Sequence, residues 1–302
     1  MVRAKLHHYV PQFYLRRFAS KKGRIWVWDK TADKSFSTTP KAIAAETDFY
    51  KLHDFARMGR DPLIMEKQFA GLEGNVSLIT DQWIHWLREL SPNKKISIPA
   101  VNRKLVSLYI ALQFFRTADT KDIICALQKE DSTDELSDED RTRLHTDFLW
   151  DLDLIKRVAK RIEQSIWIFG RNQTNTPFLS SDNPVAFKSA DHRMWLKGGI
   201  LTEGTYVVFP LAPDIVMYCH DRVPPFKKLA NFDRSLSPVA FDVPMVEQEN
   251  AGQVFMASRF VISSIDNFAW AREFALTIGT DQFSSPGFLI EGEQHSRLPS
   301  RE

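Results

Sequence analysis

Cysteine is nearly absent from this chain: two residues, Cys125 and Cys219, stand among 302. Both lie in apolar surroundings and at no metal-ligand spacing, so neither a disulfide framework nor a zinc knuckle is expected, and the thiols should be free and buried. Glycine is scarce too, at 12 residues, and with 43% hydrophobic and 12% aromatic side chains this argues against a disordered chain. Long apolar runs are missing, both after the basic start and at the length a membrane span needs, so no secretory signal or membrane helix is expected and the cytoplasm is the expected location. A net charge of +2 from 40 basic and 38 acidic groups leaves any attraction to nucleic acid to local patches. There is no GxxxxGK motif, no GxGxxG, no GxSxG and no HExxH, which withdraws support from P-loop nucleotidases, dinucleotide oxidoreductases, α/β-hydrolases and zincins.

What is present is a chain long enough to bury roughly three quarters of its unfolded surface. Its punctuation reads as one α+β domain over 1–284, with an N-terminal motif (1–60), a helical middle (61–165) and a sheet-rich part (166–284), followed by a polar tail from 285 to 302. Alternation over Arg24–Asp29, then a polar stretch to Thr39, predicts a β-hairpin. Asp61 and Pro62 open a long amphipathic helix carrying Phe69, Leu72, Val76, Ile79, Trp83, Trp86 and Leu90. Ser97 and Pro99 open a second, which ends near Arg116. After an acidic stretch at 130–140, Ser137 caps a third helix with the stripe Leu144, Phe148, Leu152, Ile155, Ala159 and Ile162. Short apolar runs at 166–169, 177–180, 205–209 and 214–219 predict a mostly antiparallel sheet. A proline-started helix after Val243 returns to a strand at Phe260.

The segment His7-His8-Tyr9-Val10-Pro11-Gln12-Phe13-Tyr14-Leu15-Arg16-Arg17-Phe18 carries the most chemistry. Two adjacent histidines precede a helix that starts at Pro11, where unpaired backbone N–H groups and the positive dipole end favour an anion. Met1 to Trp28 holds seven basic residues and no acidic one, interleaved with Tyr9, Phe13, Tyr14, Phe18, Trp26 and Trp28, a composition that fits a nucleic-acid or nucleotide surface. Neighbouring residues of an extended segment point in opposite directions, so one histidine can face a pocket while the other packs. Acid–base work, metal ligation and structural hydrogen bonding all remain open for the pair.

This motif, the following IWVWDK strand, ETDFY at 46–50, FFRT ending at Thr117, LSSDNPV at 179–185, FPLAPD at 209–214, and Asn250 with Ala257-Ser258-Arg259-Phe260 resemble the bacterial domain-of-unknown-function family 4238. The resemblance spans nearly the whole chain and implies a shared fold and a shared candidate pocket, with no activity attached.

Two further groups of residues are candidates. Glu66 and Glu73 stand seven apart on one side of a helix and could bind a divalent cation or pair with Arg116; a solvated face is the bland alternative. Ser181-Asp182-Asn183-Pro184 must turn, because asparagine before proline disfavours helix, and Asp182 at a strand end could orient a histidine. The resulting expectation is a hydrolase acting on nucleic-acid or nucleotide phosphodiester bonds. It has His7, His8 and Asp182 as catalytic groups, Gln12, Arg16, Arg17, Arg116 and Asn183 as substrate-binding groups, and Glu66 and Glu73 as metal ligands. The alternatives are a non-catalytic nucleic-acid- or partner-binding protein of a bacterial stress or phage-defence system, and a motif whose histidines simply specify the fold.

Overall fold

In a computed structural model, residues 5–91, 94–129, 135–224, 226–278 and 296–297 are described. The chain opens with β1 (Leu6–His8) and a helix of little more than one turn, α1 (Gln12–Arg16), which buries Phe13, Tyr14 and Leu15. The alternating Ile25-Trp26-Val27-Trp28 run forms β2 (Ile25–Asp29) and turns back into β3 (Lys34–Thr38), the hairpin its alternation predicts. β4 (Ala45–Thr47) then pairs antiparallel with β1, setting Glu46 opposite His7.

A short α2 (His53–Arg57) leads into α3 (Ile64–Glu89), 26 residues long. Asp61 sits just before it and accepts the Leu63 N–H at 3.0 Å, while Phe69, Val76 and Trp83 keep the buried stripe at helical spacing. β5 (Ile96–Ser97) precedes α4 (Ala100–Phe115), which starts directly after Pro99. The next segment departs from the sequence expectation, for an additional helix, α5 (Ala118–Lys129), follows at once. Thr117 separates the two, its hydroxyl accepting the Thr120 N–H at 3.4 Å.

The stripe from Leu144 to Ile162 also belongs to two helices and not one: α6 (Asp138–Trp150), capped by Ser137 as the sequence predicts, and α7 (Leu152–Gln164). Asp151 lies between them in extended backbone and accepts the Asp153 N–H at 3.1 Å. A local cap thus breaks a pattern whose hydrophobic period runs on in step. The acidic stretch at 130–134 and nearly all of the tail from 285 to 302 lie outside the described residues.

The remaining elements are β6 (Ile166–Asn172), β7 (Ser180–Ser181), β8 (Ala186–Lys188), β9 (Met194–Leu196), β10 (Tyr206–Ala212), β11 (Ile215–His220), β12 (Ser235–Leu236) and β13 (Pro238–Phe241), followed by α8 (Val243–Met256), β14 (Phe260–Ser263), α9 (Ala269–Ile278) and β15 (Ser296–Arg297). Seven of the strands form one sheet in the order β13-β6-β11-β10-β8-β9-β15, antiparallel except where β13 runs parallel to β6. A second sheet, β3-β2-β14-β7, ties the N-terminal hairpin to the C-terminal part, and β12 pairs with β5. The protein is therefore α+β.

β6 and β10 are buried almost throughout because the large sheet is covered on both faces. Trp167, Phe169, Val207 and Phe209 join the core shared with α3 and α4, whereas the alternate residues Ile168, Tyr206 and Val208 join a second core with Val246, Val254 and Phe255 of α8. No helix among the described residues is long and apolar enough to cross a membrane.

Candidate functional site

The two histidines diverge, as their strand geometry requires. His7 is fully buried; its Nδ1 accepts the Tyr50 N–H at 2.9 Å, its ring stacks on Tyr50, and its Nε2 is buried without a partner in the structure. Burial lowers its pKa to about 4, so it is neutral at physiological pH. His8 is half-buried. Its Nε2 donates to the Lys41 carbonyl at 3.0 Å, leaving Nδ1 to accept from the Gln12 amide at 3.4 Å, and burial lowers its pKa as well.

Arg116 converges on the same place from the end of α4. Buried at 3% exposure, it donates to Glu73 Oε1 at 2.7 Å and to the His8 carbonyl at 2.8 Å, and its guanidinium lies 4.7 Å from the Phe69 ring centre. The Arg116–Glu73 pairing weighed from sequence is thus present. Glu66 is half-buried nearby, its carboxyl raised by burial and its Oε2 without a hydrogen-bond partner. Among the described residues no three His, Cys, Asp or Glu side chains gather as metal ligands, so Glu66 and Glu73 offer a divalent cation two carboxylates at most, one of them already paired with Arg116.

The aromatic groups of the segment do not form an open surface, although its cations Lys5, Arg16, Lys21, Lys22 and Arg24 are exposed. Tyr9, Phe13, Tyr14, Phe18 and Trp28 are buried. Arg17 is tied to Asp81 and Thr80 of α3 and lies over Phe13, whereas Arg16 remains exposed. α1 has only five residues, too short for the helix dipole that an anion site at Pro11 would use. The aromatic periodicity marks the face by which this segment packs into the core.

Tyr9, not the histidines, carries the motif to a cleft. This cavity, of about 670 Å³, is lined by Tyr9, Glu46, Asp119, Asp122, Arg141, Asp182, Ser258 and Arg259, with Phe36 and Phe260 at its apolar side. The SDNP turn places Asp182 at the end of β7, where its carboxylate accepts the N–H groups of Ser258 (3.0 Å), Arg259 (2.8 Å) and Phe260 (3.0 Å) in the loop leaving α8. Burial outweighs these bonds and, helped by the negative charge of Asp119, raises the Asp182 pKa to about 6.

Asp119, in the first turn of α5, accepts from the Ser258 hydroxyl (2.9 Å), from Lys197 Nζ (3.4 Å) and from Asn183 Nδ2 (3.1 Å). Asn183 Oδ1 is buried with no partner in the structure. The Arg259 side chain is 58% exposed over the cleft, paired with Asp29 at 2.8 Å. Arg141 pairs with Asp122 at 2.5 Å. The Tyr9 phenol, raised by burial and by Asp182, stays protonated and able to donate.

The cleft wall carries four acidic side chains, Glu46, Asp119, Asp122 and Asp182, against the guanidinium groups of Arg141 and Arg259, with Lys197 reaching Asp119 from behind. Such a set offers a proton acceptor in Asp182 and two guanidinium groups that an anion can meet. Of the residues singled out in sequence, His7, His8, Gln12, Glu73 and Arg116 meet at one end of the motif, and Asp182 and Asn183 meet in the cleft. Asp119, Ser258, Arg259 and Lys197 are functional candidates that sequence reasoning missed. Ser258-Arg259 stand out in the sequence only as part of a family-like segment, and Asp119 lies in a helix that the periodicity does not disclose.

The fold and site together define an α+β protein whose N-terminal motif closes a carboxylate-lined cleft. The chain belongs to the family described as protein of unknown function DUF4238, whose model matches residues 6–267. No match was found among curated proteins or among solved structures.

Proposed function

We propose that this protein is a hydrolase acting on phosphodiester bonds of nucleic acid or nucleotides, with the Asp119–Asp182 cleft as its active site. The observation that carries the reading is a carboxyl with pKa about 6, Asp182, in a cleft of about 670 Å³ beside a second carboxylate and an exposed guanidinium. A general base is most effective when its pKa lies near the working pH. Asp182 takes the proton of an attacking water as the new P–O bond forms; the leaving oxygen departs with the older bond and is protonated from solvent. Arg259 and Arg141 hold the anionic phosphoryl oxygens, and Tyr9 donates to the same group. Asp119 fixes Ser258, Asn183 and Lys197 around the site.

The test is hydrolysis of labelled RNA, DNA and nucleotides, with and without Mg²⁺ or Mn²⁺, across pH 5 to 8. Turnover rising through about pH 6 and lost in Asp182→Asn supports the reading. A purified, folded protein that turns over none of these substrates removes it.

A second reading rests on the saturation of both carboxylates, each already accepting from three donors. A cleft so fully bonded suits a non-catalytic binding protein, of the kind a bacterial stress or phage-defence system employs. Nucleotide binding without turnover, unchanged in Asp182→Asn, favours that role.

A further inference from the structure

A second concavity, of about 620 Å³, lies at the other end of α4 and is lined by Ile98, Ala100, Arg103, Lys160, Glu163, Gln164, Arg222 and Arg234. Four of these are basic and one is acidic. Its floor is rigid. Arg103 is buried at 5% exposure, lies 4.2 Å from the Trp167 ring centre, donates to the Glu163 carbonyl at 2.6 Å, and pairs with Asp233 at 2.9 Å. Asp233 also takes Arg222, so one carboxylate is shared by two guanidinium groups and the cluster keeps a positive excess. Lys160 and Arg234 are exposed at the rim and, among the described residues, neither is in an ion pair. The first turn of α4, opening after Pro99 with no side-chain cap, contributes Ala100 to the wall and directs its positive dipole end there.

The charge extends beyond the groove. Lys156 and Arg157 are exposed one turn before Lys160 on α7. Cations spread over a helical turn, about 5.4 Å, and on into the groove suit several successive phosphates of a strand better than a single small anion. The lining residues include no aromatic ring on which a base could stack. That leaves the phosphates as the part of a nucleic acid that the groove can hold.

We propose that this groove is a docking site for the phosphate backbone of nucleic acid, independent of base sequence. The inference does not depend on the chemistry of the cleft, which lies beyond the other end of α4. Ala118 and Asp119 of the cleft follow the C-terminal end of α4, and a 16-residue helix spans roughly 24 Å, or about seven nucleotides along a strand.

The test is fluorescence anisotropy with a labelled single strand and a labelled duplex of about 30 nucleotides, read from roughly 50 to 200 mM salt. The variants are Lys160→Gln with Arg234→Gln, and separately Lys156→Gln with Arg157→Gln, all at exposed positions, with unfolding curves run beside them. Each lost phosphate contact should lower the slope of log affinity against log salt by about 0.9 for the duplex and about 0.7 for the single strand, and the first pair should weaken both probes on the order of ten-fold. Binding with unchanged slope in both pairs overturns the groove, as does displacement by polyglutamate as effective as by unlabelled strand, which would assign it to an acidic protein. A groove-dependent slope in a protein that hydrolyses nothing leaves this inference standing and removes only the hydrolase reading.

Discussion

Replacing Arg116 by methionine removes a charge while keeping a stem of similar length against Phe69 and Tyr50. Three contacts are lost or altered: the 2.7 Å pair with Glu73, the 2.8 Å bond to the His8 carbonyl, and the 3.3 Å bond to the Tyr50 hydroxyl. Removing one partner of a buried ion pair costs about 3–5 kcal/mol, because the other charge is left without compensation. Glu73 keeps 22% side-chain exposure and can turn to water, which places the pair near the lower end. The His8 carbonyl, stripped of its donor, adds a cost within the usual range of about 1–3 kcal/mol for a buried acceptor, partly recovered by relaxation. The expected destabilisation of Arg116→Met is therefore about 4 kcal/mol. Guanidinium unfolding gives the number, provided the slope of the transition is unchanged. Glu73→Gln alone should cost about 1 kcal/mol, and the double variant should fall short of the sum by about 1–2 kcal/mol, since the two groups act as one unit. A loss below 1 kcal/mol for Arg116→Met, or strict additivity in the cycle, would refute the view that Arg116 locks the N-terminal motif onto α3 and α4.

Gly252→Ala on α8 would set a Cβ 2.5 Å from Cζ3 of the buried Trp195 ring, so despite a gain of about 1 kcal/mol in helix propensity the variant should lose about 1–3 kcal/mol in urea; a more stable protein would contradict this. Burial lowers His7 and His145 to about 4 and His220 to about 3. Below pH 6.5 the unfolded chain therefore takes up protons that the folded one refuses. Stability present above pH 6.5 is lost as pH falls toward 4, and His145→Gln should flatten that limb of a Tm-against-pH curve. Asp182 acts in the opposite sense: its carboxyl is raised to about 6, so the stability it gives is complete below about pH 4 and is lost as pH rises through 6. Subtracting the Asp182→Asn profile from that of the native protein should leave one proton's worth of slope between those values; a flat difference would place Asp182 in an ordinary solvated setting.

The sequence by itself determined the class of fold and most of the local structure. Hairpin alternation at Ile25–Trp28, the α3 stripe, the Ser137 cap and the apolar runs of β6, β10 and β11 are short-range signals, fixed by side-chain period and by capping chemistry within a few residues. It also determined that His7 and His8 face opposite ways, since a strand alternates. It could not disclose the break at Asp151 or the separate α5, because one capping side chain overrides a hydrophobic pattern that stays in phase.

Only the tertiary structure decided which polar groups meet. Arg116 reaches the His8 carbonyl from 108 residues away, and Asp182 takes its three N–H bonds from residues 76 to 78 further on. Whether a basic aromatic segment becomes a surface or a core is settled the same way. Tyr9, Phe13, Tyr14 and Phe18 have the composition of a stacking platform, yet they are covered by α3, α4 and the large sheet, so the exposed cations of the same segment, Lys5, Arg16, Lys21, Lys22 and Arg24, are left without these rings beside them in water. Periodicity records that a face is apolar; what covers that face, and which charges are then left beside one another in water, depends on contacts made across the whole chain.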